Sequence, residues 1–138
     1  MKVFVDTNVI IDVVLNRKPF VDHSRLILDA GWANRISLFT SSVSFVNVHY
    51  IVEKFTSKEK AMASTIHLNE LFEVLNVDQT MIDQSIRIEP YDFEDAVQYF
   101  AAKSANCGCI ISRDKKGFKQ FDLPCMTPKE FLDAYFSS

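Results

Sequence analysis

Short runs of β-branched and aromatic residues alternate along this chain with longer stretches in which apolar positions recur every three or four residues. Strand-like and helix-like periodicity in regular alternation predicts a mainly parallel sheet covered by helices on both faces. Lys2–Val5 reads as a buried first strand. Asp6-Thr7-Asn8 follows and caps a helix in which Val9, Ile10, Val13 and Val14 recur at helical spacing. Pro19 suits the opening turn of a second helix reaching about Asn34, with Leu26, Ile27 and Ala30 inward. Arg35–Phe39 predicts a second strand, and Thr40-Ser41-Ser42 caps a helix through about Phe55.

Ser57 then opens a long amphipathic helix whose apolar face is Ala61, Met62, Ile66, Leu71 and Phe72. Val74–Val77 predicts a short strand, and Asp78–Arg87 a turn or two of helix stopped by Pro90. Asp92 caps a helix from Phe93 to Ala105. Cys109–Ser112 and Pro124–Met126 are the last strands. Thr127-Pro128 opens a terminal helix that carries Phe131, Leu132, Tyr135 and Phe136. No repeat, low-complexity tract or Gly/Ser linker interrupts the pattern, so one α/β domain over residues 1–138 is expected.

Composition narrows the function classes. With 48% apolar and 24% charged residues the chain can bury a continuous core, which excludes a disordered protein. Lys and Arg number 15 against 18 Asp and Glu, a net charge of −3, so nucleic acid cannot be held by bulk charge and only a local basic patch could serve. Gly31, Gly108 and Gly117 are too few and too scattered for either glycine-rich phosphate motif. No apolar run reaches membrane-spanning length, and Asp6 and Asp12 break the stretch a signal peptide would need. Cys107, Cys109 and Cys125 form no zinc-ligand spacing, and reduced thiols in a cytoplasmic protein are expected.

Candidate chemistry lies at the strand ends. Ligands of open α/β sheets bind beyond the carboxyl ends of the strands. Asp6 directly follows the first strand, Asp114 follows the strand ending at Ser112, and Asp95 lies in the opening turn of its helix. Carboxylates gathered in one cleft repel each other, and a hard divalent cation such as Mg²⁺ or Mn²⁺ relieves that conflict. Each residue also has a plain structural reading: Asp6 as an N-cap, Asp95 as a favourable charge at a helix start, Asp114 as a turn residue. Arg113, Lys115, Lys116 and Lys119 form a basic run beside Asp114 that suits either a phosphate backbone or a solvated loop.

Val3-Phe4-Val5-Asp6-Thr7-Asn8 resembles the opening of PIN-domain proteins, metal-dependent nucleases that include the VapC toxins of bacterial toxin–antitoxin pairs. Thr40-Ser41-Ser42-Val43-Ser44-Phe45-Val46-Asn47 is similar to their second motif. Asp92-Phe93-Glu94-Asp95-Ala96 and Cys109-Ile110-Ile111-Ser112-Arg113-Asp114 are similar to the third and fourth, in the right order. The resemblance implies a PIN-like three-layer α/β fold and a Mg²⁺- or Mn²⁺-dependent ribonuclease. It also implies an RNA substrate, an antitoxin partner and a homodimer. Asp6, Asp95 and Asp114 match metal-binding acids, expected close enough to share one ion, with Asn8 and Ser112 in support. The chain departs from the pattern twice. Asn47 stands where the family usually has Glu, and Gly117-Phe118 where it usually ends Asp-Phe. Asn47 is expected to ligate weakly or to position water, so that Asn47→Glu would raise metal affinity. A degenerate domain that binds RNA or a protein without cutting is the alternative. An aspartyl-phosphate mechanism is disfavoured, since the second Asp it commonly needs is Asn8.

Overall fold

In the computed structural model, which describes residues 1–136, the first four strands are separated by pairs of helices, and the chain runs from β1 (Lys2–Val5) to α7 (Pro128–Tyr135). Between them run α1 (Thr7–Val14), α2 (Val21–Trp32), β2 (Ser37–Ser41), α3 (Ser42–Phe55), α4 (Lys58–Leu71), β3 (Glu73–Leu75), α5 (Gln79–Arg87), α6 (Phe93–Ser104), β4 (Cys109–Ile111) and β5 (Cys125–Met126). Ser137 and Ser138 lie outside the described residues.

Local chemistry sets the helix ends. Asp6, Ser41, Ser57, Asp78, Asp92 and Thr127 each accept a backbone N–H of the first turn, which satisfies donors that have no partner within the helix. Thr127 and Glu130 complete a capping box, with Pro128 inside the first turn. Asn16, Asn34 and Asn106 take up the left-handed conformation just past α1, α2 and α6, the place a glycine commonly fills.

The five strands are all parallel in the order β3-β2-β1-β4-β5. Period-two alternation divides the core between the two faces. Val3, Val5, Leu38, Cys109 and Ile111 pack with residues of α1, α2, α3, α4 and α7. Phe4, Phe39 and Ile110 pack against Met81 of α5, Tyr99 and Ala101 of α6, and Phe118. The chain moves outward from β1 through β2 to β3, then returns to the other side of β1 at β4. The β1/β4 boundary is therefore the switch point where such sheets open a crevice.

Two helix faces differ from the sequence reading. Leu26 of α2 and Met62 and Ile66 of α4 are about half exposed, while Val21, Ser24, Ile27, Leu28 and Ala30 turn inward from α2 and Ala61 and Leu68 from α4. Both helices carry apolar residues on more than one face, so periodicity alone does not choose the buried one. β2 also starts two residues later than expected, and α2 starts after Pro19 rather than at it. All three thiols are free; Cys107 and Cys109 are buried, and burial pushes their pKa values up to about 11 and about 12.

Candidate active site

Asp6 is the residue at which β1 stops and α1 begins, and it is only 5% exposed. Its Oδ1 accepts the Thr7 N–H at 2.7 Å and Gln98 Nε2 at 2.7 Å, and its Oδ2 accepts Ser112 Oγ at 2.7 Å. Gln98, wholly buried in α6, in turn accepts Ser44 Oγ on its Oε1 at 2.7 Å, and Ser44 Oγ accepts Thr7 Oγ1 at 2.8 Å. On the other side Ser112 Oγ accepts the Asp114 N–H at 3.2 Å. The Thr7–Ser44–Gln98 chain of donors runs toward Asp6, while Ser112 Oγ also has the Asp114 carbonyl oxygen as an acceptor at 3.1 Å. A carboxylate offers about four lone-pair sites, so these three bonds leave one site on Oδ2. Burial raises the Asp6 pKa, the three hydrogen bonds oppose that rise, and the Asp92 charge adds to it.

Beside Asp6 opens a cleft of about 260 Å³ lined by Asn8, Arg17, Asp92, Glu94, Asp95 and Asp114. Asp92 caps α6 by accepting the Asp95 N–H at 2.9 Å, which brings the first turn of that helix to the mouth of the switch point. Asp95 is pushed up to a pKa of about 7, first by burial and then by the charges of Asp6, Asp92, Glu94 and Asp114. Glu94 is raised by burial and then by Asp6 and Asp92. Gly117 backs directly onto Asp95: a Cβ at 117 would overlap Asp95 Oδ2 and stand 2.8 Å from its Cγ. The space that an acid at 117 would need is already filled by Asp95.

Asp6, Asp95 and Asp114 thus line one cleft, with Asn8 among them and Ser112 bonded to Asp6. Among the described residues no three Asp, Glu, His or Cys side chains form a ready-made metal-binding group. Each acid is tethered separately: Asp6 by Gln98 and Ser112, Asp95 against Gly117, and Asp114 through its Oδ1, which accepts the Lys116 N–H at 3.1 Å. The donors are carboxylate oxygens, the chemistry of hard divalent cations. Mg²⁺ binds through one or two carboxylates while keeping several waters, so an open set of this kind fits it.

Two further expectations meet a different arrangement. Asn47, half-buried on α3, is not among the residues that line the cleft. Ser44, one turn earlier, is the α3 side chain that reaches the Asp6 network. The basic run is partly spent. Arg113 grips the fully buried Asp12 through Nε at 2.8 Å and a terminal nitrogen at 3.2 Å, and its guanidinium lies 4.1 Å from the centroid of Phe20. Lys115 pairs with Glu130 at 2.9 Å. Lys116 Nζ lies 5.5 Å from the ring centroid of the exposed Tyr91, and Lys119 is exposed.

Gln98, Glu94 and Arg17 were not singled out by the sequence reading. Gln98 carried one signal, a polar residue at a position that helical spacing puts inside. Glu94 stood beside a candidate acid, and Arg17 carried no signal.

Residues 2–116 match the family model described as PIN domain. The chain is 32% identical to Ribonuclease VapC1 of Aquifex aeolicus (strain VF5) over 143 residues, 97% of this chain and 95% of the relative. VapC20 of Mycobacterium tuberculosis, a sarcin–ricin loop cleaving toxin, superposes with a TM-score of 0.69 at 15% identity, covering 86% of this chain and 94% of that one. A toxin–antitoxin complex from Klebsiella pneumoniae does so with 0.67 at 21% identity, covering 91% and 97%. These two likenesses concern the fold. The matched family model, together with a relative aligned over nearly its whole length, places this chain in the PIN-domain family.

Proposed function

We infer that the protein is a metal-dependent endoribonuclease that acts as the toxin of a toxin–antitoxin pair. The observation that carries this reading is the cleft at the β1/β4 switch point, lined by five carboxylates and one arginine, in a chain related to a named ribonuclease. Asp6, Asp95 and Asp114 would hold Mg²⁺ or Mn²⁺. Glu94 supplies nearby a charge that Asn47 withholds. A divalent cation bound there supplies charge for the developing negative oxygens of a phosphodiester and lowers the pKa of water.

The chain's own residues prepare that chemistry. Ser112, Gln98 and the Thr7 N–H fix the Asp6 carboxylate in one orientation and leave its free lone pair on Oδ2. Asn8 accepts the Arg113 N–H at 3.3 Å and so ties the loop carrying Asp114 to α1. Lys116 and Lys119 are the members of the basic run suited to an RNA backbone, since Arg113 and Lys115 are engaged by carboxylates.

The non-cleaving reading draws on Asn47 and on the open arrangement of the acids. The two readings separate on purified protein stripped with a chelator and offered labelled single-stranded RNA. Internal cleavage restored by Mg²⁺ or Mn²⁺ supports the nuclease, and binding without cleavage in either ion supports the alternative. The antitoxin is expected as a neighbouring gene product that forms a complex with this chain, and a homodimer and a cytoplasmic location belong to the same reading. Among the described residues no helix is long and apolar enough to cross a membrane.

A further inference from the structure

Two arginines lie near the cleft and only one of them is committed. Arg113 is held by both oxygens of Asp12. Arg17, at the turn between α1 and α2, lines the acidic cleft, yet no carboxylate among the described residues comes within ion-pair distance of it. Its guanidinium instead rests 5.8 Å from the ring centroid of the exposed Phe55. Arg17 is half-buried, so it is not a freely swinging surface side chain. An aromatic shelf holds a guanidinium in place without occupying its N–H donors, whereas a carboxylate takes up two of them.

Charge explains what those donors would serve. The cleft is lined by five carboxylates, and a phosphodiester entering it adds another negative charge. One divalent cation offsets only part of that total. Among the cleft-lining residues Arg17 is the one cation. Its planar fork of donors matches two non-bridging phosphate oxygens. We propose that Arg17 is a catalytic residue that contacts the RNA phosphate held in the cleft, through its guanidinium and with Phe55 as its support. The proposal rests on the nuclease reading and names a residue which that reading did not need.

The test compares the full chain with Arg17→Gln and Arg17→Lys, using a fluorescent single-stranded oligoribonucleotide of defined length. Three quantities are read: cleavage kinetics with Mn²⁺, binding as a function of salt without added metal, and the Mn²⁺-induced shift in melting temperature. Arg17→Gln should lower kcat/KM about thirtyfold, the scale of a lost charge-assisted hydrogen bond. It should flatten the log–log salt slope of binding by about 0.7, one phosphate contact on a single strand. The Mn²⁺ shift should be kept or rise, since removing a positive charge from the cleft does not weaken cation binding, and Arg17→Lys should recover the salt slope and part of kcat/KM. Unchanged kcat/KM and salt slope in Arg17→Gln, in a parent that cleaves, overturn the proposal. So does a loss of activity in both variants accompanied by loss of the Mn²⁺ shift, which would make Arg17 a prop for the acids. If the parent never cleaves but Arg17→Gln still flattens the salt slope, the phosphate contact stands and the nuclease reading falls.

Discussion

Helix α1 begins with one buried aspartate and carries another six residues on, and the two live in opposite electrostatic settings. Asp12 is fully buried and its charge is answered by Arg113, which closes on both of its oxygens. Asp6 is nearly as buried, but its partners are neutral donors, and its neighbours across the cleft are further acids. The first arrangement fixes the chain: it ties α1 to the loop after β4. The second leaves like charges in company, an unfavourable state that a bound cation would relieve. A carboxylate answered by a cation holds this fold together, and carboxylates left to one another line its proposed working site.

The largest expected effect breaks the first member of that pair. Arg113→Met should leave the Asp12 charge buried and unanswered, lowering stability by about 3 kcal/mol. Adding Asp12→Asn should restore part of the loss, since the buried group is then neutral. Urea unfolding of the parent and of the single and double variants measures both steps. An Arg113→Met protein as stable as the parent would make the pair ornamental.

Gly117→Ala sharpens the comparison from the cleft side. The added methyl must displace the Asp95 carboxylate, so Mn²⁺ affinity read by calorimetry should fall about tenfold, or 1.4 kcal/mol. Affinity equal to the parent's would mean that Asp95 need not stay where it sits.

Asp95→Asn should behave unlike an ordinary buried-polar substitution and stabilise the metal-free protein. The gain expected is about 1 kcal/mol after allowance for solvent screening at a half-exposed group. The pH dependence has a definite sign. The folded-state pKa of Asp95 is raised to about 7, so its contribution to stability is whole below the ordinary carboxylate range and is lost as pH rises through about 7. The advantage of Asp95→Asn over the parent in melting temperature should therefore grow between pH 5 and pH 8. An advantage constant across that range would remove the crowding argument.

The smallest effect concerns Asn47. Because Ser44 rather than Asn47 reaches the Asp6 network, Asn47→Glu should change the Mn²⁺-induced melting shift by less than about 0.5 kcal/mol in equivalent free energy. A clear gain would instead place that side chain beside the ion.

How much of this was legible in the sequence follows from the range of each interaction. Asp6, Ser41, Asp92 and Thr127 cap their helices as read, because a cap is settled within a few residues of itself. The parallel sheet followed from alternation, and with it the placement of Asp6 and Asp114 at one edge; Asp95, with no strand directly before it, joins them from the first turn of α6. The contacts that refine the site are distant along the chain: Gln98 meets Asp6 across 92 residues and Arg113 meets Asp12 across 101. Nothing local in the basic run separates Arg113, which is spoken for, from Lys119. Leu26, Met62 and Ile66 were read inward because helical spacing recognises an apolar face without knowing what packs on it.

The central claim, that the acidic cleft performs phosphodiester chemistry while the Asp12–Arg113 pair only builds the fold, has a direct measurement. Labelled single-stranded RNA is incubated with the parent protein, with Asp6→Asn and with the Asp12→Asn/Arg113→Met pair, each in Mn²⁺ and in chelator, at a temperature where all three are folded. The account predicts Mn²⁺-dependent internal cleavage by the parent, its loss in Asp6→Asn, its survival in the double variant, and none anywhere in chelator. Cleavage that persists in Asp6→Asn or in chelator would contradict it.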